Sequence, residues 1–448
     1  MANVSILKAK DSIQHRRALF LTFFMIFFAP MTDTPLISVI IPVFNNWSLT
    51  QKCLTSLHTH AKNISYEVII VDNNSTDETA TDADNFGQSL FGDRFVLLRQ
   101  NENLGFAKAT NIGAQTAKGR YLYLLNNDTI IVSDPFSAVV EKLQNHHELG
   151  AVGPLLLYPD SKRVQHLGIA IAHGIKSIHL YHLFPASHPV VTRARNFQAI
   201  TMAAFCVEKD LYNRMDGLFE GYVNGMEDID FCARLGQQGL SFSIAPESVV
   251  EHIAGQSLGR FAQDAKNSRL LASRCSRLLD PDMNLLAEAD GYQIQLTPWL
   301  DPYIELTPEQ EQDLTARWQA TPDFENLTEI LNAEPCWEYG WDKLIRHYSD
   351  NSNLQGELSS LVQKSAFFPT PQTFARLKEI AVQSGDESRL RMLADQDSKL
   401  EKVLARPAML CAQAKSAMTR AKASGNDSLC RIISSWITEN FPNNDNKI

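Results

Sequence analysis

Three polar side chains interrupt an otherwise apolar run in the segment YLYLLNNDTIIV, residues 121–132. Asn126, Asn127 and Asp128 stand where a buried strand would end and the chain would turn. A carboxylate at that place has a chemical use, because Mg²⁺ and Mn²⁺ prefer oxygen ligands and keep only one or two protein carboxylates beside substrate phosphates. Turn formation is the alternative explanation, since Asn and Asp are common in turns.

Two other predicted strands also end in polar residues. LISVIIPVF runs into Asn45, and YEVIIVD ends at Asp72 and is followed by NNSTD. In an open parallel sheet, ligands bind outside the carboxyl ends of the strands. Asp72 could accept a hydrogen bond from a nucleobase or a ribose hydroxyl, while Ser75 and Asp77 are expected to cap the next helix. Three polar strand ends on one edge predict a ligand site there.

An α/β scaffold would bring these side chains together. From residue 36, the buried-strand patterns LISVIIPVF, YEVIIVD, FVLLRQ and RYLYLLN alternate with helical patterns. Ser48 is the predicted N-cap of the first helix, and Gly119 is predicted to close the helix that contains GFAKATNIGAQTAKG. Short strands alternating with helices indicate parallel βαβ units and hence an α/β domain.

The segment NENLGFAKATNIG lies between the polar ends of the second and the fourth predicted strands. Gly105 permits a close backbone approach, and the helix that begins near Phe106 would offer free N–H groups to an anion. Asn103 and Asn111 are most simply a loop residue and a helix-face residue, but both would lie near the same edge. The segment matches neither GxGxxG nor GxxxxGK[ST], which argues against dinucleotide-binding and P-loop sites.

The composition limits the possible functions. The chain has 448 residues, a formal net charge of -10 and seven scattered cysteines without a CxxC pair. Such a length predicts more than one domain, and such a charge argues against a nucleic-acid partner. Unpaired, scattered cysteines favour reduced thiols in a cytoplasmic protein.

The chain divides into four predicted parts. Residues 1–34 form an N-terminal extension, 35–260 an α/β domain, 261–300 a linker and 301–448 a smaller all-α domain, because the strand pattern stops beyond residue 260. In the extension, two arginines precede an apolar stretch at residues 18–29 that is shorter than the ~20 residues of a membrane span. It admits three explanations: a start codon at Met31, a segment associating with the inner membrane, or an export signal.

Four motifs in order resemble family 2 glycosyltransferases with the GT-A fold, an open sheet flanked by helices. They are ISVIIPVFNN, EVIIVDNNSTDET, NLGFAKATNIGAQTAKGRYLYLLNNDT, and GYVNGMEDIDFCARLGQQG with ESVVEHIAGQS. The similarity is greatest to the rhamnosyltransferase-like and galactofuranosyltransferase-like branch. It covers roughly residues 36–260 and leaves out the C-terminal helices.

The resemblance implies a role for each matching position. Asp228 corresponds to the catalytic base and Glu227 to a supporting acid, with Asp230 on the acceptor side. Asp128 corresponds to the last residue of the metal-binding DxD motif, in which Asn126 replaces the first aspartate, and His252 completes the metal shell. The donor-binding positions are predicted to be Pro42, Phe44, Asn45, Asp72, Asn74, Asn103, Gly105, Asn111, Asn126 and Asn127.

The implied activity is inverting transfer of a sugar from a UDP- or dTDP-type nucleotide sugar, assisted by Mn²⁺ or Mg²⁺, to a hydroxyl of a glycan or lipid-linked acceptor. Polysaccharide synthesis at the cytoplasmic face of the membrane is the expected setting. Two alternatives differ in class: a sugar-phosphate nucleotidyltransferase, and a donor-binding scaffold without catalysis whose helical tail recruits partners. Helix capping alone would explain Asp228, and packing alone would explain His252.

Overall fold

The structure is a computed structural model that describes residues 34–253, 255 and 263–442. The apolar stretch at residues 18–29 and the choice between Met1 and Met31 lie outside the described residues. Among the described helices, none combines the length and the apolar character needed to cross a bilayer.

Thirteen strands are described. In chain order they are β1 (Ile37–Val43), β2 (Tyr66–Asp72), β3 (Phe95–Arg99), β4 (Tyr121–Leu125), β5 (Thr129–Ile131), β6 (Leu149–Leu157), β7 (Val164–His166), β8 (Ile169–Ala172), β9 (Lys176–His179), β10 (Ala204–Glu208), β11 (Ser241–His252), β12 (Tyr292–Leu296) and β13 (Pro302–Leu306).

Nine of these strands form the main sheet. Their order is β3-β2-β1-β4-β10-β6-β11-β5, with β7 beside β6. Strands β3, β2, β1 and β4 run parallel, whereas β10 is antiparallel to both of its neighbours. All residues of β2 and β4 are buried, as expected for strands covered by helices on both faces. The predicted open α/β sheet flanked by helices is confirmed.

Seventeen α-helices are described. They are α1 (Trp47–His60), α2 (Thr79–Phe91), α3 (Gly105–Thr116), α4 (Ser137–Asn145), α5 (Pro189–Thr192), α6 (Lys209–Arg214), α7 (Glu227–Gly236), α8 (Asp264–Cys275), α9 (Met283–Ala289), α10 (Pro308–Ala320), α11 (Phe324–Ala333), α12 (Glu338–Asp350), α13 (Leu354–Phe367), α14 (Pro371–Ser384), α15 (Glu387–Leu404), α16 (Pro407–Ala423) and α17 (Asp427–Asn440).

The helix caps near the sheet edge differ in part from those predicted. Ser48 is not the N-cap of α1, which begins one residue earlier, at Trp47. The carboxylate of Asp77 serves both helix starts instead: its Oδ2 accepts from the Trp47 N–H at 2.9 Å and its Oδ1 from the Thr79 N–H at 3.1 Å. Ser75 caps neither helix, because its hydroxyl accepts the Asn45 N–H at 2.8 Å and so joins the ends of β1 and β2.

The region beyond residue 260 is helical from Pro308 onward, as predicted, but strands continue past residue 260. The range predicted as a linker, 261–300, holds α8, α9 and β12, and β12 pairs with β13 as an antiparallel hairpin. The alternation that marks this hairpin, Tyr292, Ile294 and Leu296 inward, spans only five residues and was missed for that reason.

The core connects the sheet to the C-terminal helices. One cluster of buried side chains extends from Ile40 and Leu122 in the sheet to Trp337 and Phe368 in the helical region. The last helix, α17, also contacts the turn between β12 and β13, since the Trp436 indole N–H donates to the Thr297 carbonyl at 2.8 Å. All seven cysteines are free thiols, as predicted.

Candidate active site

The ends of β1 and β2 are joined by side chains that accept backbone N–H groups. Asp72 is 2% exposed, and its Oδ1 accepts the Ser75 N–H at 2.9 Å while Arg99 Nη1 lies 3.6 Å from its Oδ2. Asn45 accepts the Thr76 N–H at 2.7 Å. These bonds hold both strand ends in one conformation, with Asn45 and Asn74 at positive φ of 56° and 67°. Beside them Pro42 is half-buried and Phe44 exposed.

The three polar residues that follow β4 contact different parts of the protein. Asn127 donates from Nδ2 to the Thr50 hydroxyl at 3.0 Å and is therefore engaged with helix α1. Asn126 Nδ2 lies 3.5 Å from His252 Nε2. Asp128 is buried, and its Oδ1 lies 3.1 Å from the same His252 nitrogen. Of the three predicted polar residues, Asn126 and Asp128 thus converge on His252.

The sheet explains how His252 reaches Asp128. Strand β11 pairs antiparallel with β5, with His252 opposite Thr129, and the Ile253 N–H donates to the Asp128 carbonyl at 3.0 Å. Asp128 and His252, which are 124 positions apart in the chain, are therefore neighbours where β5 pairs with β11.

Gln165 determines the orientation of the imidazole. Its Oε1 lies 2.6 Å from His252 Nδ1, and its Nε2 donates to the His252 carbonyl at 2.8 Å. With the His252 proton on Nδ1, Nε2 presents a lone pair toward Asp128 Oδ1. An oriented imidazole beside a carboxylate is a usual arrangement of metal ligands.

The donor set thus fits a divalent cation completed by phosphate oxygens and water, with two protein ligands. Among the described residues, no group of three or more His, Cys, Asp or Glu side chains is placed to share a metal. A DxD motif would supply two carboxylates, whereas this chain supplies one, because the neutral amide of Asn126 stands in place of the first aspartate.

Asp228 and Glu227 begin helix α7, directly after Met226 at a φ of 76°. Glu227 is 7% exposed, and its Oε2 accepts the Gly225 N–H at 2.7 Å, so it holds the turn that precedes the helix. Asp228 is half-buried, and its Oδ1 accepts the Ile229 N–H at 2.9 Å.

Two cavities meet at Asp228. A small cavity of about 120 Å³ is lined by Asp228 together with Asn126, Phe106 and the segment 201–203. A large cavity of about 700 Å³ is lined by Asp228 together with His252 and Gln165. Asp228 therefore lies between the Asn126 side and the His252 side of the sheet edge.

Asp230 has a different environment from Asp228. It is 1% exposed and accepts from Arg274 Nε at 2.5 Å, Arg234 Nε at 2.9 Å and the Tyr222 hydroxyl at 3.2 Å. Burial alone would raise the pKa of Asp230, but hydrogen bonds from the two guanidinium groups outweigh burial and hold that pKa below its ordinary value. Its carboxylate is committed to joining α7 and α8 rather than directed at an acceptor.

The two asparagines near α3 also differ. Asn103 Oδ1 accepts the Gly105 N–H at 3.0 Å at the start of the helix, where Gly105 has a φ of 78°. Asn111 uses its whole amide within the protein: Oδ1 accepts from the Tyr212 hydroxyl and the Leu218 N–H, and Nδ2 donates to the Leu218 carbonyl and to Glu220. Asn111 therefore anchors the segment 212–220 to α3, and its amide is not directed at a donor.

Gln165 and the residues of β13 were missed by sequence reasoning. Gln165 carries no recognisable spacing relative to His252, because it reaches the histidine across the sheet from β7. Thr201 lines both cavities, and Met202 and Ala203 line the small one.

Comparison with known proteins gives a family match over the sheet. The family model described as glycosyl transferase family 2 matches residues 38–205. The O-antigen biosynthesis protein RfbC of Myxococcus xanthus is 27% identical over 218 residues, which are 47% of this chain and 17% of that protein. Glycosyltransferase GlyG of Streptococcus pneumoniae is 28% identical over 127 residues, 28% of this chain and 41% of that protein. The chain thus spans less than half the length of these relatives.

Similar solved structures include GalNAc-T7 with UDP, GalNAc and Mn²⁺, at a TM-score of 0.42 and 18% identity over 49% of this chain and 44% of that chain. Another is the mannosyltransferase PcManGT of Pyrobaculum calidifontis with GDP-Man and Mn²⁺, at a TM-score of 0.42 and 15% identity over 74% of this chain and 88% of that chain. The family match falls on β1 to β10, the strands that carry Asp72, Asn126 and Asp128. Residues 38–205 of this chain are thus similar to glycosyl transferase family 2, and this match leaves out Asp228 and His252.

Proposed function

We propose that this protein is a metal-assisted, inverting glycosyltransferase that moves a sugar from a UDP- or dTDP-type nucleotide sugar to a hydroxyl of a glycan or lipid-linked acceptor. The observation that carries the proposal is the position of Asp228, which lines both the cavity at Asn126 and the cavity at His252. The family match supports the reaction class.

The donor is proposed to lie along the carboxyl edge of the sheet. Asp72 and Asn45, held by the bonds between the two strand ends, would contact the nucleoside, with Pro42, Phe44 and Asn74 beside them. Gly105 opens α3 with backbone N–H groups facing that edge, a position that favours an anion. We leave Asn111 and Asn127 out of this donor site, because their amides are engaged with residues 212–220 and with Thr50.

Asp128 and His252 would hold Mn²⁺ or Mg²⁺ at the diphosphate. A cation bound there neutralises the charge that develops on the departing nucleoside diphosphate. Gln165 keeps the imidazole oriented for that task, and Asn126 contributes a neutral amide beside it.

Asp228 is proposed as the general base. A carboxylate in hydrogen-bond reach of the acceptor hydroxyl takes its proton during attack, which typically contributes about 10²–10⁴-fold to the rate. A single base on the side opposite the leaving group implies inversion at C1. Glu227 supports Asp228 indirectly, by holding the turn at Gly225.

Asp228→Asn tests the base assignment. We expect the variant to lose transfer by about 10²-fold or more while its affinity for the nucleotide sugar stays within about twofold, as measured by nucleoside diphosphate release and calorimetry with Mn²⁺. Asp160→Asn, an exposed acid outside both cavities, is the matched control and should keep both properties.

Full turnover by Asp228→Asn would refute the base assignment. Release of pyrophosphate from a nucleoside triphosphate would instead favour a nucleotidyltransferase, and metal-dependent binding without turnover would favour a scaffold. The proposal includes a finer identity: a rhamnosyltransferase-like or galactofuranosyltransferase-like hexosyltransferase that acts in polysaccharide synthesis at the cytoplasmic face of the membrane.

The proposal also includes a division of the chain into a catalytic part at 35–260, a joining segment at 261–300 and a helical part at 301–448.

A further inference from the structure

The large cavity is built from two parts of the chain. Its sheet side includes Asp228 and His252, and its far side is formed by Tyr303 in β13 and by Phe367 and Pro369 at the end of α13. The far-side residues, like Asp228 and His252, lie outside the family match, which ends at residue 205. A molecule that reaches Asp228 through this cavity therefore contacts the hairpin and a C-terminal helix.

Aromatic rings give this cavity rigid apolar walls. The rings of Tyr181 and Phe184 lie 5.0 Å apart, and Phe184 lies 6.0 Å from Phe367. Tyr303 packs edge-on against Phe368 with 6.2 Å between ring centroids. Fixed aromatic faces suit the apolar C–H faces of a sugar ring, and they lose little conformational entropy when a ligand binds.

The polar groups between these rings include two imidazoles and a phenol. The Thr201 N–H donates to His166 Nε2 at 3.2 Å, and His166 Nδ1 lies 3.0 Å from His179 Nδ1, so the two imidazoles are joined to each other and to the segment at Thr201. Burial raises the pKa of Tyr303, which therefore remains a phenol.

Among the described residues that line the cavity, Asp228 is the one carboxylate, and none is a lysine or an arginine. Placing a second anion beside a carboxylate is unfavourable, because the two charges repel each other more strongly as water is excluded. A hydroxylated, uncharged ligand can instead hydrogen-bond to the imidazole and phenol groups and pack against the rings.

Resting on the proposed function, we propose that the acceptor is the uncharged end of a saccharide chain, and that Tyr303 of the β12–β13 hairpin is one of the residues that select it. The segment beyond the family match thereby completes the acceptor site.

Saturation-transfer NMR on the full chain tests the cavity without any donor. The probes are methyl α- and β-hexopyranosides, their disaccharides and the matching hexose 6-phosphates. We expect transfer to the neutral glycosides, loss of that signal in Tyr303→Ala, and retention in Tyr339→Ala, a half-buried control tyrosine outside the cavity lining. Tyr303→Phe, which keeps the ring, should restore most of the signal.

Stronger transfer to the 6-phosphates, absence of transfer to every neutral glycoside, or equal signals in Tyr303→Ala and wild type would each overturn the inference. Unchanged near-ultraviolet circular dichroism in Tyr303→Ala separates loss of binding from loss of fold.

A second measurement uses the donor. With a neutral glycoside as acceptor, Tyr303→Ala should raise the acceptor KM by about tenfold, equivalent to about 1.4 kcal/mol, with a smaller change in kcat. A change confined to kcat would overturn the binding role. If wild type releases no nucleoside diphosphate from any nucleotide sugar, the proposed function fails, while the NMR result still decides whether the cavity binds a neutral saccharide.

Discussion

At the scale of single residues, the neighbouring carboxylates Asp228 and Asp230 have different roles because their environments differ. Asp228 is half-buried at two cavities, whereas Asp230, two residues later, is enclosed by Arg234, Arg274 and Tyr222. Helix geometry explains the difference, because successive residues in the first turn face different directions. The same acidic motif therefore supplies one candidate base and one structural anion.

Asp230→Asn should reduce the free energy of unfolding by about 3 kcal/mol, because removing one partner leaves two partly buried guanidinium groups without their counter-charge. Urea unfolding at neutral pH measures it. The control, Asp395→Asn, breaks an exposed pair with Lys399 and should cost under about 1 kcal/mol. Similar losses in both variants would contradict the structural role.

The pKa of Asp230 also predicts a pH dependence. Its folded-state pKa lies below its ordinary value, so the native state favours the charged form. The stability this group contributes is present above the unfolded pKa, about 3.9, and is lost as the pH falls through the folded pKa. The difference in unfolding free energy between wild type and Asp230→Asn should therefore shrink below about pH 4.

Gln165→Leu should weaken Mn²⁺ binding about 10–100-fold, because the substitution removes the amide that orients His252. Calorimetry with Mn²⁺, in the presence of the nucleoside diphosphate, measures the change. Gln198→Leu removes an amide that bonds to Asp280 and Asp282 instead and serves as the control. Unaltered Mn²⁺ affinity in Gln165→Leu would argue against His252 as a ligand.

At the scale of elements, the segment between β10 and α7 is positioned by α3. Asn111 on α3 binds the backbone at Leu218 in both directions, and Gly217 beside it has a φ of 64°. A Cβ at Gly217 would lie 2.4 Å from Asn111 Oδ1. Asp216 precedes it in the same left-handed region, at a φ of 56°, where glycine is the usual residue. The path of the chain into α7 is thus set by a contact between elements.

Gly217→Ala should destabilise the protein by about 2 kcal/mol, from left-handed backbone strain and the displaced Asn111 amide. Gly236→Ala is the control: Gly236 ends α7 with open space around it, and alanine there should stabilise by up to about 1 kcal/mol. Thermal and urea unfolding compare the two. Equal effects of the two substitutions would show that the Asn111 contact carries little energy.

At the scale of the whole molecule, the main sheet and the C-terminal helices share buried side chains and enclose one cavity. Phe368 is fully buried beside Tyr303 and belongs to the same cluster as Ile40 in the central strand. Two regions that share a core are expected to unfold together rather than in turn.

Phe368→Ala should destabilise both regions together by about 3–5 kcal/mol. Calorimetry should give a single transition at a lower temperature, and hydrogen exchange should show faster opening in β1 as well as in α13. Phe324→Ala removes a ring that is 40% exposed and should cost much less. Two separate transitions in wild type, or loss of protection confined to the helices, would contradict the shared core.

The local pattern of the chain determined the α/β class, the four parallel strands and the polar ends that carry Asp72, Asn126 and Asp128, because strand burial and turn chemistry are written in neighbouring residues. The motif order predicted the similarity to family 2 glycosyltransferases, which the family model matches at residues 38–205. Only the tertiary structure decided which polar groups meet. It brought His252 and Gln165 to Asp128 across sheet ladders, assigned Asp230 and Asn111 to internal bonds, and placed Tyr303 and Asp228 in the lining of one cavity. Such pairings depend on register and packing between segments distant in the chain, which no local pattern encodes.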